Sequence, residues 1–285
     1  MSLTRMNLAQ DLEAMNFSRV PGTNSWRHNG VSLTADGAWA VLRTTAAATG
    51  DPLAAQWGQA GLWKAVSSVG TRRQRPAGSA GEGARGGRYR RIFELPLAAL
   101  VERDVDDDAV EGRAVSAFEA AVAWGLATLD GQCPVGWRAP ARAEVERHVP
   151  PGALTVRSGA HARQGEVVAD GDRLALRMTI LARLPVGLSE CRLSWLRQVL
   201  LDAQDRWRLV RLAGGDGPVE AEVDLTGAPP WLLEGLVPVA AAALRNAVAW
   251  VVGPCAFLAH AVEEPRALAM CLAGKAPGAV PSERR

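Results

Sequence analysis

The sequence predicts an α+β protein built from two similar domains, each an antiparallel sheet packed with helices. Three observations carry this. Asp36-Gly37-Ala38-Trp39-Ala40-Val41-Leu42-Arg43-Thr44-Thr45 recurs 134 positions later as Asp170-Gly171-Asp172-Arg173-Leu174-Ala175-Leu176-Arg177-Met178-Thr179, with five of ten positions identical. Ala121-Val122-Ala123-Trp124 recurs 126 positions later as Ala247-Val248-Ala249-Trp250. Finally, Val219, Ala221, Val223 and Leu225 alternate with Glu220, Glu222 and Asp224, the pattern of a sheet with one wet face. A period above a hundred residues means two domains of one fold, since solenoid repeats run about 20–50 residues.

In the first half, Leu8, Leu12 and Met15 fall at helical spacing over 7–16, with Asn7 as N-cap. Pro21-Gly22, Asn29-Gly30 and Asp36-Gly37 then punctuate a meander, with strands expected near 18–21, 25–28, 31–35 and 38–45. Asp51-Pro52 opens a helix expected to reach Ser68, because proline suits a first helical turn. Residues 70–88 form an Arg/Gly-rich insertion with little to bury, and 89–95 read as a strand stopped by Pro96. Ala114 to Leu129 reads as a helix with Val115, Phe118, Val122, Leu126 and Leu129 on one stripe.

Cys133-Pro134, Gly136 and Pro140 punctuate a boundary. The expected organisation is an N-terminal domain over 1–132, a linker over 133–140, a C-terminal domain over 141–272 and a flexible tail over 273–285. The second half repeats the plan. A short helix spans 142–148, two short strands lie within 153–168, and Leu174 to Leu181 is a strand. Ser189 caps a Leu-rich helix to about 203. Trp207 to Leu212 and Val219 to Leu225 make a hairpin around Gly214-Gly215-Asp216-Gly217. Pro229-Pro230 precede a long helix, and a short helix follows near 256–272.

With 285 residues, 48% of them hydrophobic, the chain can bury a substantial core. A net charge of +2 points to neither nucleic acid nor membrane. Cys133, Cys191, Cys255 and Cys271 form no C-x-x-C pair, which suits a reducing cytoplasm better than a disulfide framework or zinc site. The apolar stretch 231–261 contains Glu234, Arg245, Pro238 and Pro254, and reads as a buried amphipathic helix rather than a membrane span.

Gly171 to Leu176, Leu184-Pro185 before a Leu-rich helix, the Arg208–Leu212/Val219–Leu225 hairpin and a long closing helix give residues 141–252 a recognisable order. That order resembles the type III secretion chaperone-like superfamily, including its YbjN-type domains. The resemblance covers about 40% of the chain directly and the N-terminal half through the repeat. It implies a non-enzymatic binder, of a kind that is commonly a two-fold dimer holding an extended partner segment. Tandem duplication departs from that pattern, and implies a pseudo-dimer within one chain or a homo-oligomer.

No catalytic constellation is visible. The glycines at 81–87 lack the preceding strand and following helix of a dinucleotide fingerprint. His28, His148, His161 and His260 are too scattered for a metal motif, and the acids of 102–111 lack calcium-loop spacing. Neither metal nor cofactor is expected, and the chain is read as no enzyme. The expected function is a cytoplasmic chaperone, adaptor or assembly subunit that buries a partner's apolar segment on helix or sheet surfaces, or adds a strand at a sheet edge. Trp57, Trp63, Trp195 and Trp231 are the expected protein-binding anchors, placed on or at the start of helices. The alternative is a nucleic-acid-associated factor using the basic loop 71–91, with Arg72, Arg73, Arg75, Arg85, Arg88, Arg90 and Arg91.

Overall fold

The structure, a computed structural model, describes residues 8–47, 62–67, 88–100, 104–105, 115–131, 140–158, 161–171, 173–181, 201, 204–213 and 218–252. The class is α+β. Helix α1 (Leu8–Ala14) leads into strands β1 (Ser18–Arg19), β2 (Ser25–His28), β3 (Val31–Asp36) and β4 (Trp39–Ala47). Asn29 and Gly30 both adopt positive φ, 44° and 80°, the geometry of a two-residue hairpin turn between β2 and β3. Strands β5 (Trp63–Ser67) and β6 (Arg88–Pro96) complete a six-stranded sheet of order β1-β2-β3-β4-β6-β5. A minimal pair, β7 (Asp104–Val105) and β8 (Val115–Ser116), precedes helix α2 (Ala117–Leu129). Ser116 caps α2 by accepting the Glu119 N–H at 3.1 Å, and its hydroxyl donates to Asp11 of α1 at 2.9 Å.

The second half begins with α3 (Arg142–His148). Next come β9 (Thr155–Ser158), β10 (His161–Gln164), β11 (Glu166–Asp170) and β12 (Arg173–Leu181). Strands β13 (Arg211–Ala213) and β14 (Val219–Asp224) follow, and helix α4 (Pro230–Val252) closes the described chain. The order β11-β12-β14-β13 matches β3-β4-β6-β5. The repeated Asp-Gly turns occupy corresponding corners, with Gly37 at φ 60° and Gly171 at φ 57°. All pairings among the described residues are antiparallel.

One face of each sheet is apolar. Leu33, Leu42, Phe93, Leu95, Trp63 and Trp124 lie in the same continuous buried cluster as Leu176, Met178, Val223, Leu236 and Leu244. Phe93 meets Trp124 edge-on, with centroids 5.0 Å apart. Helix α4 packs on β12 and β14, and also on the Leu97–Ala99 turn of the first half. At Gly235 a Cβ would lie 2.6 Å from Ala99 Cα, so only glycine permits that helix-to-turn approach. Pro230–Ala249 is long and apolar enough to cross a membrane, yet Leu232, Leu236, Val237, Ala240 and Leu244 are buried against this core.

Several sequence expectations need correction. Residues 63–67 form strand β5, not the end of a helix. Trp63, Lys64, Ala65 and Val66 are all buried, so both faces of the strand are dry and no alternation of burial marks it, and they pair with Arg90–Phe93. The region 153–168 holds three strand pieces rather than two. Residues 204–206 form a 3-10 turn and strand β13 starts only at Arg211. Leu209, at φ 64°, breaks the expected strand from Trp207. Residues 51–61 and 68 of the expected helix, the Leu-rich helix apart from Leu201, the linker apart from Pro140, and everything beyond residue 252 lie outside the described residues.

Candidate functional site

Trp57, Trp195, Arg72, Arg73, Arg75 and Arg85 also lie outside the described residues. Trp63 sits on β5 rather than a helix, and only 2% of it is exposed. Its ring carries the Arg91 guanidinium at 4.9 Å, and Arg91 also donates to the Leu129 carbonyl at 2.9 Å. Trp231 does lie in the first turn of a helix, α4, half-buried against the core. Arg88, Arg90 and Arg91 belong to β6, so the basic segment ends inside the sheet rather than in a loop. Arg90 lies 3.8 Å from Asp205.

The first polar assembly is a seam joining the two halves. Lys64 Nζ lies 3.0 Å from Glu94 Oε2, with both side chains at most 5% exposed. It also donates to the carbonyls of Gln204, at 2.8 Å, and Trp207. Glu94 in turn accepts from Arg208 at 3.0 Å and from the Leu209 N–H at 2.6 Å. The left-handed backbone of Leu209 accompanies that bond. Gln204 donates to Ala65 O and accepts from Leu212 N, each at 2.6 Å. Arg208 bonds Asp36 and lies 5.8 Å over the Trp39 ring.

Burial pushes the Lys64 ammonium below its usual range, with Glu94 opposing the shift. Burial also works against the Arg208 charge, but Glu94 and Asp36 outweigh it and hold the guanidinium charged more firmly than usual. Lys64 has three donors and three acceptors, so it acts as a clamp rather than a nucleophile. Desolvation first, then Arg90 and Arg208, lower Arg43 from its ordinary value.

The second assembly lies on the corresponding face of the other sheet. Arg43 matches Arg177 in the repeat, so the pairing registers make Lys64 equivalent to Arg211 and Glu94 equivalent to Asp224. Arg211 bonds Glu222 at 2.6 Å and also Asp224, and all three are at most 1% exposed. Arg173 reaches Glu222 at 2.5 Å, and Arg177 reaches it at 3.1 Å. The face expected to be wet is therefore dry at Glu222 and Asp224, because arginines supply the hydrogen bonds that water would otherwise make.

The third feature is a sheet edge. In the first half, Val31–Thr34 of β3 pair with β2. The repeat matches those residues to 165–168, but β9 instead pairs with 161–164, four positions earlier. Gly165 is the last rung of that pairing, its N–H bonding Leu154 O at 2.7 Å, and a Cβ there would lie 2.8 Å from Arg177 O, so glycine sits where the chain passes from β9 to β12. Among the described residues, strand β11 thus pairs only with β12 and ends its sheet, with Glu166, Ala169 and Asp170 exposed.

No family model, curated protein or solved structure matches this chain. Among the described residues no three His, Cys, Asp or Glu side chains gather as a metal site would require. Sequence reasoning missed the seam because its members, Asp36, Lys64, Glu94, Gln204 and Arg208, are spread over 172 positions. One sign was present: Lys64 is one of only two lysines in the chain, set within an apolar run.

Proposed function

We propose that this chain is a non-enzymatic protein-binding module, acting as a chaperone, adaptor or assembly subunit that holds an extended partner segment by strand addition. The observation that supports this is the edge of β11, five residues long and without a second strand among the described residues, where the other repeat pairs Ser32, Leu33 and Thr34 of the equivalent stretch with β2. An unpaired edge offers a row of N–H and C=O groups, and natural sheets normally cover or blunt such rows. Main-chain bonds at an edge give affinity with little demand on partner sequence. The buried charges have structural partners: Lys64 and Glu94 clamp the halves, and Arg211, Glu222 and Asp224 complete one another. Arg91 is engaged by Trp63 and Leu129 O and Arg90 lies near Asp205, which favours protein over nucleic acid as the partner.

The test is affinity purification of the tagged full chain at low and high salt, with and without nuclease, followed by amide hydrogen exchange on the recovered complex. The expected result is a nuclease-resistant protein partner that slows exchange in 166–170. Recovery of nucleic acid that disappears on nuclease treatment would overturn the reading.

A further inference from the structure

The charges around β11 specify the chemistry of what it binds. Resting on the strand-addition reading, we propose that β11 takes an extended basic segment, with cationic side chains opposite Glu166 and Asp170 and an apolar one opposite Val168. In register, Glu166 lies opposite Arg177, Val168 opposite Ala175, and Asp170 opposite Arg173. Glu166, Val168 and Asp170 therefore share the face on which Arg173, Arg177 and Arg211 meet Glu220, Glu222 and Asp224. Among the described residues, that face of the four-stranded sheet carries five carboxylates against three guanidiniums.

The three arginines are drawn inward to Glu222 and Asp224, which are buried, and to Glu220. That leaves Glu166 and Asp170, both exposed, as the charges a new strand would meet. Opposite charges directly across a ladder stabilise pairing and like charges oppose it. A second copy of this chain is the wrong occupant. Antiparallel self-pairing centred on Val168 would set Glu166 against Asp170 of the other copy, twice. A segment reading cation, any, apolar, any, cation satisfies both carboxylates and packs on Val168.

The test uses the full chain and a fluorescein-labelled peptide Thr-Lys-Thr-Val-Thr-Lys-Thr, read by anisotropy at low salt. A second peptide replaces both lysines with glutamate, and a third carries N-methyl groups on alternate amides. The expected result is binding of the lysine peptide, weakened about tenfold with the glutamate peptide and abolished by N-methylation. The double variant Glu166→Lys/Asp170→Lys, with an unchanged circular dichroism spectrum, should reverse the preference between lysine and glutamate peptides. Equal binding of both peptides would overturn the basic preference while leaving strand addition intact. Binding that survives N-methylation would overturn strand addition at this edge. Binding of no peptide, while a cellular partner still protects 166–170, would reject the basic chemistry alone.

Discussion

At the residue scale, the two repeats place a buried cation at one position and use it differently. Lys64 reaches Glu94 and the carbonyls of Gln204 and Trp207, whereas Arg211 turns to Glu222 and Asp224 within its own sheet. Removing one member of a buried pair leaves the other charge uncompensated, so Lys64→Ala should lower the unfolding free energy by about 3–5 kcal/mol in urea titration. The pH dependence has a definite sign. Lys64 has a folded pKa below its ordinary 10.5, so between the two values the unfolded chain binds more protons. Stability contributed by this group is therefore fully present above 10.5 and is lost as pH falls through the folded value. Wild type should gain stability relative to Lys64→Met as pH rises toward 10.5, a difference readable by parallel urea titrations. Little of this was legible in the sequence: a lysine between Trp63 and Ala65 carries no mark of whether an acid awaits it.

At the element scale, what could be read depended on whether a pattern had contrast. The Asp-Gly turns, the meander, the strand before Pro96 and the Val219–Leu225 alternation were legible because turn residues and polar positions mark their limits. Strand β5 was not, since both of its faces are buried and a strand with two dry faces resembles part of a buried helix. The edge at β11 was equally hidden. It depends on a four-residue displacement of the β9 pairing, from 165–168 to 161–164, and the sequence repeat that would mark the register begins only at Asp170. Close approaches make the glycines testable. Gly235→Ala brings a methyl to 2.6 Å from Ala99 Cα. Alanine favours helix by about 1 kcal/mol, but forced repacking costs about 1–3 kcal/mol, so a lower melting temperature by calorimetry is expected.

At the scale of the whole molecule, the repeat is visible in the strand order and the core is shared. The main buried cluster draws side chains from both halves, and the seam adds Lys64–Glu94, Arg208–Asp36 and Gln204–Ala65 on top of it. Urea unfolding should therefore follow one transition, with tryptophan fluorescence and far-ultraviolet circular dichroism coincident. Two separated transitions would show halves that are stable independently.

The seam also sets an order of events during synthesis. Glu94 has left the ribosome long before Arg208 and Leu209, which lie 114 and 115 residues further on. At about 5–20 residues per second, translation imposes a delay on the order of ten seconds. Through that interval the later partners of Lys64 and Glu94, the Gln204 carbonyl and the Leu209 N–H, are still unmade. Completion of residues 204–212 supplies them and ties Ala65 of β5 to Gln204, so the buried charges of the first half are satisfied only once the second half is made.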